Sequence, residues 1–440
     1  MNPVAGITFV LGALGVLIAV VKLLQSRRMV GAETARKMVH IGMGMICLTF
    51  PALFAVAWPV WILAGLAVIA LGALRFVPCL KCSVGTVLHD VNRQSLGEVY
   101  FPIGVAAVFA LAKSVPLEFT IPVSLLTFAD AAGALVGKRW GRHQYQTLEG
   151  QKSIEGSIAV GITAFLCATV PLISAQHDLT ASLVIGVLIG IFGMIVEAIS
   201  WRGLDNIFLP LAALAQISIY LALPLSALLM RVPVLLAISA SACCWRRCRV
   251  ADSCARLGAS LALYFFWTVG GWTWLTAPLV LLASYMWLMP APPHGDPPHN
   301  MMAMICISST GLIWAVAQSI SPDQRWLWCF TLGITAHHAV IAAARYSQQM
   351  TGWPRMKWWA AGTSQAVLVQ GAAFLLIDWM RHISLIEVLA GFSCTAVATA
   401  CFMVCEENLP MPADLNVRWW KQGVTALVAS VAGGAMMYLL

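Results

Sequence analysis

The sequence predicts an all-α integral membrane protein that crosses the bilayer many times. Three observations lead there. The 440 residues are 60% hydrophobic and only 10% charged, against about 25% charged in a soluble domain. Apolar runs of roughly 18 or more residues, each long enough for the hydrocarbon core, recur along the whole chain. Such runs are too long for barrel strands, and a backbone in lipid must satisfy its own polar groups, so the spans are helices.

The first run, "VAGITFVLGALGVLIAVVKLL", lacks the basic start and small-residue cleavage pattern of a signal peptide and reads as a retained span over 4–24. Further spans are expected near 38–56, 58–76, 99–114, 119–137, 156–174, 181–200, 207–229 and 231–244. Candidates beyond them are 257–270, 271–289, 301–320, 326–344, 359–379, 384–404 and 422–440, which brings the expectation to about 13–16 membrane helices. Motifs thin out sharply past residue 235. Two domains are therefore expected, a motif-bearing 1–235 and an additional helical membrane domain, 236–440, of unassigned role.

Orientation follows from the cations. Arg27, Arg28, Arg36 and Lys37 make the first loop cytoplasmic. Alternation then brings Lys81 with Arg93, the group Lys138, Arg139, Arg142 and Lys152, and Arg202 to the same side. The net charge of +8 is thus explained by topology in a bacterial-type inner (plasma) membrane, its partners lipids and not nucleic acid. Most of the thirteen cysteines lie in apolar runs, where cysteine packs as a small hydrophobe. "PCLKC" and "CCWRRCRVADSC" meet zinc spacing only in part and read as unpaired thiols.

The chemistry-bearing residues gather on that same face. Asp130 lies inside "IPVSLLTFADAAGALVG", and an Asp at a helix centre costs roughly 3 kcal/mol to insert. Such a residue usually faces a cavity and marks function; the plainer alternative is a carboxylate neutralised by a basic neighbour or by protonation. The small residues that follow permit close approach by a helix or a ligand. Next comes the loop "GKRWGRHQYQTLEGQKSIEGS". Lys152 and Ser153 precede a span, and a helix N-terminus with a lysine and a hydroxyl suits a phosphate. Glu155 beside Ser153 also fits an ordinary capping acid. "ARKMVHIGMG" puts Arg36, Lys37 and His40 on one side of a helix, which alone reads as a basic anchor. "EAISWRGLDNIFLP" adds Glu197, Asp205 and Asn206. Positive-inside topology does not explain carboxylates there. Mg²⁺ on a nucleotide uses one or two carboxylates plus phosphate oxygens, and Asp130 and Asp205, with Glu197 nearby, would supply them.

"RKMVHIGMG", "SLGEVYFPI", "ADAAGALVGKRWG", "KSIEGSIAVGITAF" and "LDNIFLPL", in this order over roughly residues 30–225, resemble the successive motifs of the phytol kinase and dolichol kinase family, which is itself similar to the CDP-diacylglycerol synthases in its central motif. The resemblance implies CTP-dependent, Mg²⁺-assisted phosphorylation of a lipid alcohol such as phytol, geranylgeraniol, farnesol or a polyprenol. It implies metal binding by Asp130 and Asp205, with Glu197 and Asn206 beside them. Phosphates would be held by Lys152 with Lys138 or Arg139, together with Gly141, Ser153, Gly156 and Ser157. Glu155 would orient Lys152 or bind metal. Arg36, Lys37, His40 and Arg93 are further candidates for the triphosphate or for the base. Two other readings stand beside this one: a cytidylyltransferase, which would release pyrophosphate instead of CDP, and a transporter or scaffold, whose carboxylates would line an ion path.

Overall fold

The computed structural model describes residues 2–76, 97–112, 115–147, 150–199, 203–244, 251–289, 299–380, 382–406, 409 and 414–439. Among the described residues the regular structure is helical apart from one hairpin and an isolated bridge between Ala251 and His299. In order the helices are α1 (Pro3–Ser26), α2 (Ala32–Cys47), α3 (Phe50–Leu53), α4 (Trp58–Phe76), α5 (Gly97–Leu111), α6 (Pro116–Ser124), a π-helical stretch Leu125–Ala129, and α7 (Asp130–Trp140). After the hairpin come α8 (Ile154–Ser174), α9 (Leu179–Ile199), α10 (Asp205–Tyr220), α11 (Leu225–Cys244), α12 (Ser253–Gly270), α13 (Thr273–Trp287), α14 (Met301–Ile320), α15 (Gln324–Gln349), α16 (Arg355–Met380), α17 (Leu385–Cys405) and α18 (Leu415–Leu439). Among the described residues eight helices are long and apolar enough to cross a membrane, the continuous Pro116–Trp140 rod counted as one, and four shorter apolar helices accompany them. The chain divides into two compact units, Met1–Leu236 and Ala237–Leu440.

The structure departs from the sequence expectation at three places. The helix expected over 38–56 begins at Ala32 and stops at Cys47. Pro51, four residues on, opens α3, and its ring would strike the Cys47 carbonyl of a continuous helix. Arg36 and Lys37 therefore belong to a helix and not to the preceding loop, which keeps Arg27 and Arg28 as its cations. The break expected near residue 230 falls instead at 221–224, just before α11, whereas Pro233 sits inside that helix. The third departure is the antiparallel hairpin within the polar loop, β1 (Gln144–Thr147) and β2 (Gly150–Ser153), with Tyr145 opposite Lys152.

In the first unit an aromatic chain, Phe54–Phe50–Phe109–Phe119, runs edge to face through the core between α3, α5 and α6. Helices are docked by small residues, since two backbones in lipid gain most from close van der Waals approach. Gly133, Gly137 and Gly141 repeat every fourth residue along α7 and its end, facing the start of α8. A Cβ on Gly156 would sit 2.9 Å from the Gly133 carbonyl and 3.2 Å from the Gly137 Cα. Gly104 on α5 similarly lies against the backbone carbonyl of Asn206 on α10. In the second unit every residue of α15 from Leu327 to Arg345 is buried.

The Gly104 contact is testable because a carbonyl cannot swing aside. Gly104→Ala is expected to destabilise by about 1–3 kcal/mol. Gly65→Ala on α4, where nothing lies within 4 Å of the added carbon, should be neutral or slightly stabilising because alanine is the better helix former. Thermal unfolding in detergent compares the two; a Gly104→Ala protein as stable as the parent would contradict this docking of α5 on α10.

Candidate active site

Asp130 is the first residue of α7, immediately after the π-helical stretch. A π turn inserts an extra residue into the helical ladder and leaves carbonyls less fully used, and such turns recur at functional sites. Here His40 of α2 places Nε2 2.9 Å from the Leu126 carbonyl and 3.7 Å from Asp130 Oδ2. One turn earlier on α2, Lys37 donates from Nζ to Asp130 Oδ2 at 2.6 Å. The Lys37 side chain is only 3% exposed, that of Asp130 24%. Gly44 lets α2 come this close, because a side chain there would overlap Thr127 of the π stretch. Arg36 lies within electrostatic reach of the same carboxylate.

A second ion pair closes the opposite side. Lys152 of β2 donates to Glu197 Oε1 of α9 at 2.9 Å and also to the Glu197 backbone carbonyl. Burial acts to lower the Lys152 pKa, but the Glu197 and Asp205 carboxylates outweigh it and hold it above the ordinary lysine value. Asp205 is the first residue of α10. One carboxylate oxygen from each of Asp130, Glu197 and Asp205 lies within 4.8 Å of the others. Three acidic side chains from α7, α9 and α10 thus converge, faced by two lysines from α2 and the hairpin.

The hairpin is fastened at two points. Glu155 accepts from the backbone N–H groups of Arg142 and His143 at 3.1 and 3.2 Å, and its Oε1 is 2.7 Å from His143 Nδ1. Tyr145, opposite Lys152, meets Ser157 Oγ at 2.7 Å. These contacts set where Lys152 points.

Several candidates therefore have other partners than those the sequence suggested. Glu155 neither orients Lys152 directly nor joins the three carboxylates; it clasps the 142–143 loop. It is not a capping-box acid either, because it stands second in α8 and the Ser153 Oγ accepts from the third residue, Gly156. Ile154 N–H is likewise spent on the His143 carbonyl. Gly141 and Gly156 are packing residues between α7 and α8. Ser157 Oγ is used by Tyr145 and the Ser153 carbonyl. Asn206 is buried and turns its amide onto the Gly203 carbonyl at 3.0 Å. Lys138 and Arg139 are exposed at the end of α7, Arg139 over the Trp140 ring. Arg93 and Arg202, like Cys79 and Cys82, lie outside the described residues. His143 and Tyr145 were not among the candidates, and only the H-x-Y alternation leading into a strand could have signalled that the two act together.

A phytol kinase of Synechocystis sp. is 31% identical over 207 residues, which make up 46% of this chain and 84% of that protein. No family model matches the chain, and no solved structure does. The class is a membrane-embedded phosphotransferase of the alcohol-accepting kind. The chain belongs to the phytol kinase family.

Two measurements check the electrostatics. Lys37→Met leaves a partly buried carboxylate without its ammonium and is expected to cost about 2 kcal/mol, below the range for fully buried pairs because Asp130 is partly exposed. Adding Asp130→Asn should recover part of that loss; strictly additive losses across the double-mutant cycle would deny the coupling. For the second pair, a raised lysine pKa means that its stabilisation is fully present below the ordinary lysine pKa and lost only as pH rises through the raised value. The stability gap between parent and Lys152→Met should hence persist as pH rises to about 9 and shrink only in stronger alkali; a gap that closes as pH rises through neutrality would contradict the assignment.

Proposed function

We propose that the chain transfers the terminal phosphoryl group of CTP to the hydroxyl of a prenol-type lipid alcohol, of the phytol, geranylgeraniol, farnesol or polyprenol kind, at the cytoplasmic membrane face with Mg²⁺. The observation that carries this reading is the convergence of Asp130, Glu197 and Asp205 within 4.8 Å, with Lys37 and Lys152 already bound to two of them. The relative named a phytol kinase supports a prenol as acceptor.

The donor set fits Mg²⁺, a hard cation that takes carboxylate and phosphate oxygens and keeps several waters. When bound, the ion would neutralise charge on the phosphate oxygens. Phosphoryl transfer depends chiefly on positioning and charge neutralisation, and the chain's own residues are arranged for both. Asp130, Glu197 and Asp205 would hold the cation. Lys37 and Lys152, whose ammonium groups lie against those carboxylates, would turn to phosphate oxygens. Asp130 is also the carboxylate best placed to accept the hydroxyl proton, since His40 and Lys37 fix its orientation. The Glu155–His143 clasp and the Tyr145–Ser157 contact act behind Lys152, keeping the hairpin in register. The alcohol would enter sideways from the bilayer, its tail among apolar helices. The cations Arg27, Arg28, Lys138, Arg139 and Arg142 support a cytoplasmic orientation.

The test uses purified protein, CTP labelled in its terminal phosphate, and a panel of lipid alcohols, with ATP run alongside. A labelled lipid monophosphate and CDP are expected, and Asp130→Asn should reduce the rate by about a hundredfold or more while the protein still inserts. Release of pyrophosphate, or full activity of Asp130→Asn, would overturn the reading.

A further inference from the structure

In the second unit one buried seam holds more hydrogen-bonding capacity than its own side chains use. Ser284 of α13 is buried, and side chains from two other helices meet at its hydroxyl: His338 Nε2 of α15 at 2.9 Å and Gln365 Nε2 of α16 at 3.3 Å. His338 is fully buried, yet its Nδ1 has no hydrogen-bond partner among the described residues, and Gln365 Oε1 has none either. Further along the same interface Gln370 of α16 donates to the Ala277 carbonyl of α13 at 3.0 Å, while its buried Oε1 stays without a partner, as does the buried Thr363 Oγ1. Ala277 and Ser284 are two helical turns apart on one face of α13, and Thr363 and Gln370 repeat that spacing on α16. Four unmatched polar atoms therefore line the junction of α13, α15 and α16.

Native interiors rarely leave such atoms unpaired, because each costs about 1–3 kcal/mol. Small apolar residues would pack three membrane helices without that cost. What completes the seam is neutral, since these contacts involve no carboxylate, lysine or arginine. It must meet an imidazole nitrogen in either tautomer and an amide oxygen, carried by the two side chains that share the Ser284 hydroxyl. A hydroxyl, which both donates and accepts, does this. The surroundings are apolar, with Leu281, Ala366, Ala373 and Ile377 all buried. Two of the three helices also border lipid: Leu368 and Leu375 of α16 are 78% and 71% exposed, and Leu279 of α13 is 46% exposed. A molecule dissolved in the bilayer can enter from the side.

We propose that the α13–α15–α16 seam binds the hydroxyl of a long-chain aliphatic alcohol through Ser284, His338 and Gln365. This gives the second unit a ligand of the same chemical class as the acceptor in the proposed reaction, although the argument uses no residue of the first unit.

The test is photolabelling of the full-length protein in nanodiscs with a sixteen-carbon alkanol carrying a diazirine close to its hydroxyl, followed by peptide mapping. Labels on α13, α15 and α16 are expected. An unlabelled alkanol should displace them, and the matching alkane should not. Ser284→Ala and Gln365→Leu, small changes that keep the helices packed, should each weaken the labelling about five- to tenfold. Asp130→Asn should leave labelling of this seam unchanged, so failure of the kinase reading would not touch the result. Absence of label here, equal competition by the alkane, or unaltered labelling of both variants would leave the seam to ordered water and overturn the proposal. Preferential displacement by an alkyl phosphate would overturn it too, because it would make the site an anion site.

Discussion

The ion pair between Lys37 and Asp130 is the constraint around which the first unit is arranged. An ammonium and a carboxylate in an apolar bundle are tolerable only together, since either alone keeps most of its desolvation cost. The pair fixes α2 against the start of α7. That contact requires Gly44 opposite Thr127, and it brings His40 to the Leu126 carbonyl that the π turn presents. With α2 and α7 locked, the glycine face of α7 is presented to α8, and α8 carries the hairpin whose Lys152 reaches Glu197 on α9. Each lysine that steadies these carboxylates is also one that a phosphate would claim in the proposed reaction.

The glycines and the helix N-terminus teach a related point. Clustered glycines, a lysine and a serine before a helix are what a phosphate loop needs, but they are also what two helices and a hairpin need in order to touch. In this chain Gly133, Gly137 and Gly156 bring α7 within backbone distance of α8, and Ser153 caps the helix that follows. Lys152, just before that cap, reaches across to Glu197 on α9. Glu155 serves it from behind, through His143.

Much of this was legible in the residues themselves. The spans read directly from hydropathy because a membrane helix has to be long and apolar whatever its neighbours. Asp130 stood out because a carboxylate in such a run is costly, and the acidic residues of "EAISWRGLDN" stood out because nothing about topology calls for them. The role of Lys37 was not legible. A basic residue at the foot of a span looks like a membrane anchor, and only the position of α2 against α7, ninety-three residues on, makes it a partner of Asp130. The π turn was hidden for a similar reason, since "LLTFA" has ordinary helical composition and its extra residue depends on packing. The hairpin escaped notice because its strands are four residues each, too short for an alternating pattern to emerge. The orphaned atoms around Ser284 could not be foreseen at all, as they concern what three helices fail to supply one another.

Direct titration of Mn²⁺, a paramagnetic substitute for Mg²⁺, tests the central claim by electron paramagnetic resonance on purified protein with CTP. Glu155→Gln serves as the comparison for Asp130→Asn, Glu197→Gln and Asp205→Asn. The account predicts that each of the last three weakens Mn²⁺ binding strongly while Glu155→Gln leaves it near the parent level. If the three substitutions spare binding, or if Glu155→Gln weakens it as much as they do, these carboxylates do not form one site.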